Sequence, residues 1–371
     1  MPKPRVLLIT PDFPPSTGGI AVLMESLVAH ATGWETRILT FGQPGDAAWD
    51  AAASVAVRRV SSTEIDRRLA VALLNAAALR EIAAFRPDVL LVGHVVAGIA
   101  AAPVARLLRK PLVLYVHADE FRTRAKLTAR ATRRADATIA VSSYTREMAL
   151  GVGAAPLRVH LIPPGVVVPP PPAGQRDPRP TILTVASLLS ERKGHDVIAS
   201  ALPLVRERIP DARWVVIGDG PLRPRVEAAV ADAGVGDAVS LLGRVDDATR
   251  DGWLDRARVF CMPSRVPPGG LGGEGFGIVY LEAGAHELPV VAGNVAGALD
   301  AVVDDETGIL VDPTDHRAVA TALIRVLTDP ELASRMGEAG RRHAEEHAWP
   351  RIAARVEALV EEVRAGGGAA M

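Results

Sequence analysis

Residues 274–293 read EGFGIVYLEAGAHELPVVAG and predict a glycine loop, a helix and a strand in one run. Glycines let the backbone approach a ligand, and free N–H groups at a helix start attract a phosphate. We expect the helix to begin near Gly277, so that Glu282 lies one turn after Ile278 on the inward stripe. An inward carboxylate must be satisfied, and either sugar hydroxyls or a buried arginine would serve Glu282.

Short apolar strands alternate with amphipathic helices on both sides of this segment. The rhythm predicts parallel sheets with helical crossovers, and 371 residues are enough for two domains. We therefore predict an α/β protein of two Rossmann-like, doubly wound domains that face each other across a cleft. The strand candidates are residues 6–10, 36–41, 89–94, 112–117, 137–142, 159–163, 181–187, 214–218, 239–242, 259–263, 289–292 and 308–311.

Residues 163–180 interrupt the rhythm with eight prolines. Proline fixes φ and lacks a backbone donor, so this stretch suits neither a helix nor a central strand. We place the N-terminal domain at residues 1–168, a Pro-rich linker at 169–180 and the C-terminal domain at 181–346. Residues 347–371 are predicted to form a C-terminal helix, which can pack back on the N-terminal domain, and a tail.

Composition narrows the partners and the compartment. The chain is 49% apolar and 23% charged with a net charge of −1, so we expect no nucleic acid as a partner. A single cysteine, Cys261, excludes an internal disulfide. Residues 6–9 are too short for a signal peptide, and His94 and Pro103 interrupt the longest apolar stretch, 89–105. We expect a cytoplasmic protein.

Two adjacent cations follow the first strand of the C-terminal domain. Arg192 and Lys193 suit a diphosphate, with lysine as a point charge and arginine as a fork. The alternative is a solvated loop pair. Residues 217–221, IGDGP, begin like a dinucleotide fingerprint, but Arg223 occupies the third glycine position. A lone Gly-x-Gly does not by itself indicate nucleotide binding.

The E-x7-E spacing of Glu274 and Glu282, with Arg192-Lys193-Gly194 upstream, resembles the retaining family-4 glycosyltransferases of GT-B fold over nearly the whole chain. Residues 263–270 and 274–283 are similar to phosphatidylinositol mannosyltransferases that use GDP-mannose. The resemblance implies that Glu274 contacts donor-sugar hydroxyls and that Glu282 holds the ribose. It also implies that Lys193, helped by Arg192, neutralises the diphosphate.

The same resemblance assigns further donor contacts in the C-terminal domain. Backbone amides would complete the phosphate site at Gly275, Phe276, Gly277, Ile278 and Val279. The base would meet Gly243, Arg244 and Val245. Many relatives carry an arginine where this chain has Ser187, so one expected phosphate contact is missing.

The first strand of the N-terminal domain is followed by PDFPPSTGGI, residues 11–20. A plain strand-to-helix turn is the alternative here, but it does not need ten residues. Gly18 and Gly19 leave the helix start without side chains, and in the family such a loop faces the donor phosphate. Asp12 is a candidate acceptor contact.

His117 ends a predicted strand, and strand carboxyl ends point toward ligands in open parallel sheets. The resemblance implies that His117 contacts the donor sugar near the reacting carbon; a core histidine is the alternative. Asp119 and Glu120 either bind the acceptor or cap the next helix. The resulting catalytic set is His117, Glu274, Lys193 and Arg192.

A basic helix is predicted after these carboxylates. Its charges form either a solvated face or a contact with acidic lipid headgroups, which would place the protein peripherally on the inner membrane face. The cations are Arg122, Arg124, Lys126, Arg130, Arg133 and Arg134.

The sequence contains no Asp-x-Asp triplet, so we expect no metal and no cofactor beyond the nucleotide-diphosphate sugar donor. That donor is GDP-mannose or a UDP-sugar, and the acceptor hydroxyl belongs to a lipid-linked polyol, a soluble sugar or a natural product. The resemblance implies retention at the anomeric carbon. Two alternatives stay open: a GT-B epimerase acting on UDP-sugars, and a non-catalytic nucleotide-sugar-binding protein.

Overall fold

The computed structural model describes residues 3–16, 18–60, 66–97, 101–172, 174, 176–267 and 269–367. The chain forms two compact units. One comprises residues up to Gly165 together with those from Trp349 onward, and the other spans Val166–Ala348.

Within the described residues, the first unit is built on a seven-stranded parallel sheet. Its strands are β1 (Arg5–Ile9), β2 (Glu35–Phe41), β3 (Ala56–Val60), β4 (Val89–Val92), β5 (Leu112–Val116), β6 (Ala137–Ala140) and β7 (Val159–Leu161). They lie in the order β3-β2-β1-β4-β5-β6-β7. The direction of winding reverses between β1 and β4, and open α/β sheets bind ligands at the carboxyl ends beside such a switch point.

Helices connect the strands of this unit. They are α1 (Gly19–His30), α2 (Asp46–Ala52), α3 (Arg67–Phe85), α4 (Ala101–Leu107), α5 (Asp119–Thr123), α6 (Ala125–Arg134) and α7 (Ser143–Gly151). Two 3-10 turns, Val95–Ala97 and Pro156–Arg158, lie among them.

The second unit repeats the plan with a six-stranded parallel sheet within the described residues. Its strands are β8 (Thr181–Val185), β9 (Arg213–Ile217), β10 (Val239–Gly243), β11 (Val259–Met262), β12 (Val290–Gly293) and β13 (Gly308–Val311). Their order is β10-β9-β8-β11-β12-β13, so the switch point lies between β8 and β11.

The helices of the second unit are α8 (His195–Arg208), α9 (Arg223–Asp232), α10 (Asp247–Arg256), α11 (Ile278–Ala285), α12 (Ala298–Ala301), α13 (His316–Thr328) and α14 (Pro330–Glu346), with 3-10 turns at Glu191–Lys193 and Gly236–Ala238. The last helix, α15 (Trp349–Gly367), belongs to the first unit. There the Trp349 ring stacks on His30 with ring centroids 6.1 Å apart, and Glu357 accepts from the Gly33 N–H at 2.5 Å.

The burial of a strand explains whether it can be predicted from an apolar run in the sequence. Every residue of β4, β6, β11 and β12 is buried, and parallel strands that are covered on both faces read as apolar runs. The predicted pair of doubly wound parallel sheets is confirmed. The strand β3 was missed, because it lies at the sheet edge and carries Arg58 and Arg59 in place of an apolar run.

Candidate active site

Two loops meet at the carboxyl end of the second sheet, one after β8 and one after β11. Lys193 ends the 3-10 turn that follows β8, and its ammonium donates to the carboxylate of Glu274. Both side chains are 16% exposed, so the pair is reachable at its edge. The Arg265 N–H also donates to the Arg192 carbonyl at 2.8 Å, which ties the two loops together.

Opposing effects set the ionisation of Glu274. Burial raises the pKa of this carboxyl, but Lys193 and then Arg192 lower it by more, so the pKa of Glu274 lies below its ordinary value. Glu274 is therefore an anion at neutral pH. A carboxylate has about four acceptor positions, so the bond from Lys193 leaves others for hydroxyl donors.

The backbone between Glu274 and Gly277 is fixed on two sides. The Gly297 N–H donates to the Glu274 carbonyl at 3.0 Å, and a Cβ at Gly297 would lie 2.2 Å from the Gly275 carbonyl oxygen. Gly277 has a φ of 89°, and a Cβ there would lie 2.4 Å from the Tyr280 ring. Both close approaches require glycine at positions 277 and 297.

Helix α11 follows this loop and begins at Ile278, with no described side chain capping its N-terminus. Helix starts leave backbone N–H groups without helical partners, and these groups suit an anion. Phe276 is buried beneath the start, whereas Ile278 and Val279 are half-buried. The predicted phosphate amides thus lie beside the Lys193–Glu274 pair on one continuous segment.

Glu282 lies one turn along α11 and interacts with α10. Burial raises the pKa of Glu282 above its ordinary value; Asp251 and Asp247 add to the rise, and Arg250 and His286 oppose it. Arg250 also donates to Asp247 at 2.9 Å and to Asp251 at 2.8 Å. Arg250 therefore compensates the charge of Glu282 only in part. The alternative of a buried arginine partner for Glu282 is to that extent incomplete.

The segment predicted to meet the base lies between β10 and α10. The Gly243 carbonyl accepts from the Gly218 N–H at 2.8 Å. Arg244 is exposed and Val245 is half-buried. The segment leads into the helix that carries Arg250, which interacts with the predicted ribose residue on α11.

The glycines of the IGDGP motif have a packing role. A Cβ at Gly218 would lie 2.0 Å from the Ala186 carbonyl oxygen, and one at Gly220 would lie 2.5 Å from the Leu188 carbonyl oxygen. The φ of Gly218, 136°, is also one that other residues rarely adopt. The motif therefore lets the β9 loop pack on the β8 loop. Ser187, where relatives carry an arginine, is exposed on that loop.

In the first unit, His117 follows β5 and Gly93 follows the adjacent strand β4. The His117 Nε2 lies 3.0 Å from the Gly93 carbonyl oxygen. A carbonyl only accepts, so we assign a proton to Nε2, which donates to this carbonyl. A Cβ at Gly93 would lie 2.9 Å from the Thr10 hydroxyl, so the ends of β1 and β4 close on this point. His117 is half-buried beside the switch point.

The loop of residues 11–20 is anchored near its middle. Phe13 is 1% exposed, and its carbonyl accepts from the Gln43 amide at 2.6 Å. The Pro14 carbonyl accepts from Arg59 at 2.7 Å, and the Pro14-Pro15 peptide is cis. These hydrogen bonds hold Phe13 and Pro14 against Gln43 and Arg59.

Gly18 and Gly19 lie at the start of α1 and are exposed. No described atom lies within 4 Å of a Cβ built at either glycine, and the φ of Gly18 is −76°. Among the described residues of this unit, neither packing nor the backbone conformation of Gly18 requires glycine there, and the predicted donor contact of Gly18 and Gly19 stays a prediction. Asp12 is half-buried, with its carbonyl accepting from Thr10 at 3.0 Å. Thr17 lies outside the described residues.

Asp119 and Glu120 have different surroundings. Glu120 is 2% exposed, and its carboxylate accepts from the His117 N–H at 2.5 Å. Asp119 is half-buried and pairs with Arg122 at 3.1 Å. The Glu120 carboxylate thus binds the backbone just before α5 without capping the helix, and acceptor binding by Asp119 and Glu120 stays a prediction.

The basic helix of the sequence is divided into α5 and α6. Thr128 and Thr132 are buried on one face of α6. Four cations line a shallow surface depression: Lys126, Arg130, Arg133 and Arg134. All four are exposed. Among the described residues, no helix is both long enough and apolar enough to cross a bilayer.

Two arginines of the second unit carried no sequence signal. Arg250 lies on a polar helix face, where arginines are ordinarily solvated. Arg176 lies in the Pro-rich segment and donates to five backbone carbonyls. Among the described residues, no three His, Cys, Asp or Glu side chains lie together as ligands of a metal would.

Comparisons with known proteins match most of the chain. Residues 17–168 match the family model described as Glycosyltransferase Family 4, and residues 171–343 match Glycosyl transferases group 1. The chain is 33% identical, over 357 residues, to a GDP-mannose-dependent alpha-(1-6)-phosphatidylinositol monomannoside mannosyltransferase of Mycobacterium tuberculosis. That alignment covers 91% of this chain and 92% of the relative.

Two solved structures are similar in fold. Sucrose-phosphate synthase from Thermosynechococcus elongatus has a TM-score of 0.81 and 22% identity, over 98% of this chain and all of that one. HepE from Anabaena, in complex with UDP and glucose, has a TM-score of 0.78 and 17% identity, over 97% of this chain and all of that one.

Proposed function

The chain belongs to the family 4 glycosyltransferases, and we propose that it transfers a mannosyl group from GDP-mannose to a hydroxyl of a lipid-linked polyol. The predicted family, the GT-B type of fold and the hexosyltransferase activity are confirmed. One observation carries the proposal: Lys193, with Arg192 beside it, meets Glu274 at the switch point of the second sheet. The pair joins a cation for a diphosphate to an anion for sugar hydroxyls.

The donor occupies the second unit. Lys193 and Arg192 neutralise the diphosphate, and the N–H groups at the start of α11 add to them. Glu274 accepts from hydroxyls of the mannosyl group. Glu282 accepts from the ribose hydroxyls, which compensate the charge that Arg250 leaves undercompensated. The segment of Gly243, Arg244 and Val245 meets the guanine.

Residues of the first unit complete the reaction. Through Nδ1, His117 contacts the donor sugar near the reacting carbon, while its Nε2 donates to the Gly93 carbonyl. The open faces of Gly18 and Gly19 admit the phosphate at the start of α1. Asp12 and Asp119 are assigned to the acceptor, and Glu120 supports His117 through its backbone N–H.

The chemistry is proposed to need no metal and to retain the anomeric configuration. As the bond from the sugar to the diphosphate breaks, negative charge develops on the leaving phosphate. Lys193, Arg192 and the helix N–H groups stabilise that charge, and such preorganised groups are often the largest catalytic contribution. The acceptor oxygen forms a bond to the anomeric carbon on the face that the diphosphate leaves, and the leaving phosphate takes the proton of that hydroxyl. The absence of an Asp-x-Asp triplet supports the metal-free route.

The acceptor assignment rests on the relative and on α6. The Mycobacterium tuberculosis relative is named for a phosphatidylinositol monomannoside acceptor and a GDP-mannose donor. The exposed cations of α6 suit the anionic headgroups among which such an acceptor lies. We therefore favour a lipid-linked polyol over a soluble sugar, and a peripheral position on the membrane.

Thermal-shift titration with GDP, UDP, ADP and dTDP tests the donor, because a ligand of the folded state raises Tm. We expect the largest rise with GDP. Transfer is then followed from GDP-mannose to phosphatidylinositol mannoside in vesicles, and NMR of the product gives the anomeric configuration. A rise with UDP alone overturns the donor assignment. Conversion of a UDP-sugar without acceptor would favour the epimerase. Binding of a nucleotide sugar without turnover would favour the non-catalytic binding protein.

A further inference from the structure

Arg176 joins the ends of two helices of the second unit. Its Nη1 donates to the carbonyls of Leu254, Asp255 and Ala257 at 3.1–3.2 Å. Its Nη2 donates to the carbonyls of His286 and Glu287 at 2.8 Å and 2.6 Å. The first three carbonyls lie at the C-terminal end of α10, and the other two lie at the C-terminal end of α11.

This arrangement suits arginine and no other side chain. The last carbonyls of a helix have no helical partners and carry the negative end of the helix dipole. Here two such ends converge, and only a planar guanidinium with five donors can bond to both at once. Lysine offers the same charge at a single point.

We call the Arg176 guanidinium and the five carbonyls that it binds the joint. The joint lies one helical turn from the side chains of Arg250 and Glu282. Leu254 is four residues after Arg250 on α10, and His286 is four residues after Glu282 on α11. A second contact crosses between the helices at the same level, since the His286 Nδ1 lies 2.6 Å from the Asp255 carboxylate. The spacing of α10 and α11 at this level therefore sets where Arg250 and Glu282 stand relative to each other.

The segment that carries Arg176 is itself held in place. The Asp177 N–H donates to the Arg256 carbonyl at 2.8 Å, and Arg258 donates to the Asp177 carbonyl at 2.9 Å. The Asp177 carboxylate also pairs with Arg213. These contacts hold Asp177, the residue next to Arg176, in place beside the end of α10 and the strand β9.

We propose that Arg176 is a positioning residue of the donor site, which fixes α10 against α11 so that Glu282 meets the ribose hydroxyls. This inference rests on the proposed role of Glu282. Its specific consequence is that loss of Arg176 acts through Glu282: nucleotide affinity falls, while the acceptor KM does not change.

The test compares Arg176→Lys with Arg179→Lys. Arg179 is exposed, three residues away in the same segment, and its N–H bond to Asp177 does not involve the side chain. We expect Arg176→Lys to weaken GDP binding about tenfold in isothermal titration, because a small displacement of a binding group is costly. Arg179→Lys should bind GDP as the wild type does. The KM for GDP-mannose should rise with the Kd.

A double-mutant cycle with Glu282→Gln separates positioning from general stability. If Arg176 acts through Glu282, Arg176→Lys should weaken GDP binding much less in the Glu282→Gln background. An equal penalty in both backgrounds, or no penalty in the wild-type background, overturns the inference. If Arg176→Lys does not fold, Asp255→Asn loosens the same joint and enters the same cycle.

The outcome for the wild type distinguishes this inference from the proposed function. Wild-type protein that binds no nucleoside diphosphate rejects both. Wild-type protein that binds UDP in place of GDP rejects the donor assignment alone, and the cycle is then run with UDP because both nucleotides present a ribose to Glu282.

Discussion

Lys193 donates a charge-assisted hydrogen bond to Glu274, and the two residues lie on the loops that follow the neighbouring strands β8 and β11. Glu274 thus compensates the charge of Lys193. A diphosphate that binds here competes with Glu274 for Lys193 or shares the ammonium with it. On the proposed function, Lys193 therefore favours binding of the diphosphate and Glu274 opposes it, although both residues serve transfer of the sugar.

This opposition gives the first prediction. Glu274→Gln removes the competing anion, so GDP binding should be unchanged or tighter while transfer falls at least a hundredfold. Lys193→Met removes a charge-assisted bond of about 1.5–3 kcal/mol, so GDP binding should weaken about ten- to a hundredfold. Isothermal titration gives the affinities, and initial rates with GDP-mannose give the transfer. Full activity in both variants would refute the site, and equal loss of GDP binding would make the pair a structural bridge.

The two glutamates should also have opposite effects on stability. The pKa of Glu274 is lowered in the folded state, so its ionised form stabilises the fold above the ordinary value of 4.5, and this is lost as the pH falls through the folded value. The pKa of Glu282 is raised, so its charge costs stability above the raised value and costs nothing below 4.5.

Accordingly, Glu282→Gln should raise Tm at neutral pH, whereas Glu274→Gln should lower it. The Glu282→Gln difference should disappear once the pH reaches the ordinary carboxyl value of 4.5, and the Glu274→Gln difference should persist to lower pH. Thermal unfolding between neutral and acid pH measures both. A lower Tm for Glu282→Gln at neutral pH would mean that Arg250 fully compensates that charge.

Gly18, which we propose faces the donor, and Gly218, which packs against Ala186, should respond differently to substitution. The side chain of Gly18→Val would enter open space, and the φ of this position, −76°, suits any residue, so the cost in stability should stay within about 1 kcal/mol. Transfer should nevertheless fall at least tenfold, because the side chain would occupy the space proposed for the donor phosphate. Gly218→Ala places a Cβ 2.0 Å from the Ala186 carbonyl oxygen, so it should destabilise by about 1–3 kcal/mol. Tm and kcat/KM are measured for both. An active Gly18→Val enzyme would place the donor elsewhere.

The sequence predicted the parts of this site that lie within one run of residues. The apolar strands, the glycine loop before α11 and the position of Glu282 on that helix all follow from local pattern. The contact of Lys193 with Glu274 spans 81 residues of chain, and no local pattern specifies such a pairing. The resemblance to a family supplied both residues, but not their bond.

Other features could not be predicted from the sequence, because only tertiary packing defines them. Arg250 resembles any solvated helix arginine until α10 lies beside α11. Arg176 finds its five carbonyls only where two helix ends converge. The strand β3 needs no apolar run because it has a neighbour on one side only. The glycines of IGDGP match part of a dinucleotide fingerprint, yet in the structure they make room for the carbonyls of Ala186 and Leu188.

Glu120 tests the choice between capping and acceptor binding. Its buried carboxylate accepts from the His117 N–H, so Glu120→Ala should cost about 1–3 kcal/mol and lower kcat through the displaced His117, with the acceptor KM unchanged. Asp119→Ala is the matched control for stability, since its exposed pair with Arg122 contributes under about 1 kcal/mol, but it should raise the acceptor KM because we assign Asp119 to the acceptor. Thermal unfolding and acceptor titrations measure both. A Glu120→Gln enzyme with wild-type Tm and a raised acceptor KM would support acceptor binding by Glu120.

The exposed cations of α6 predict binding to anionic membranes. Each lysine or arginine near such a surface contributes about 1 kcal/mol, so Lys126→Gln with Arg130→Gln should weaken binding to phosphatidylglycerol vesicles roughly thirtyfold. Co-sedimentation measures the bound fraction. The matched control, Arg208→Gln with Arg335→Gln, removes two exposed cations of the second unit and should have little effect. High salt should reproduce the loss, because it screens surface charges. Equal binding of all three proteins would make α6 an ordinary solvated face.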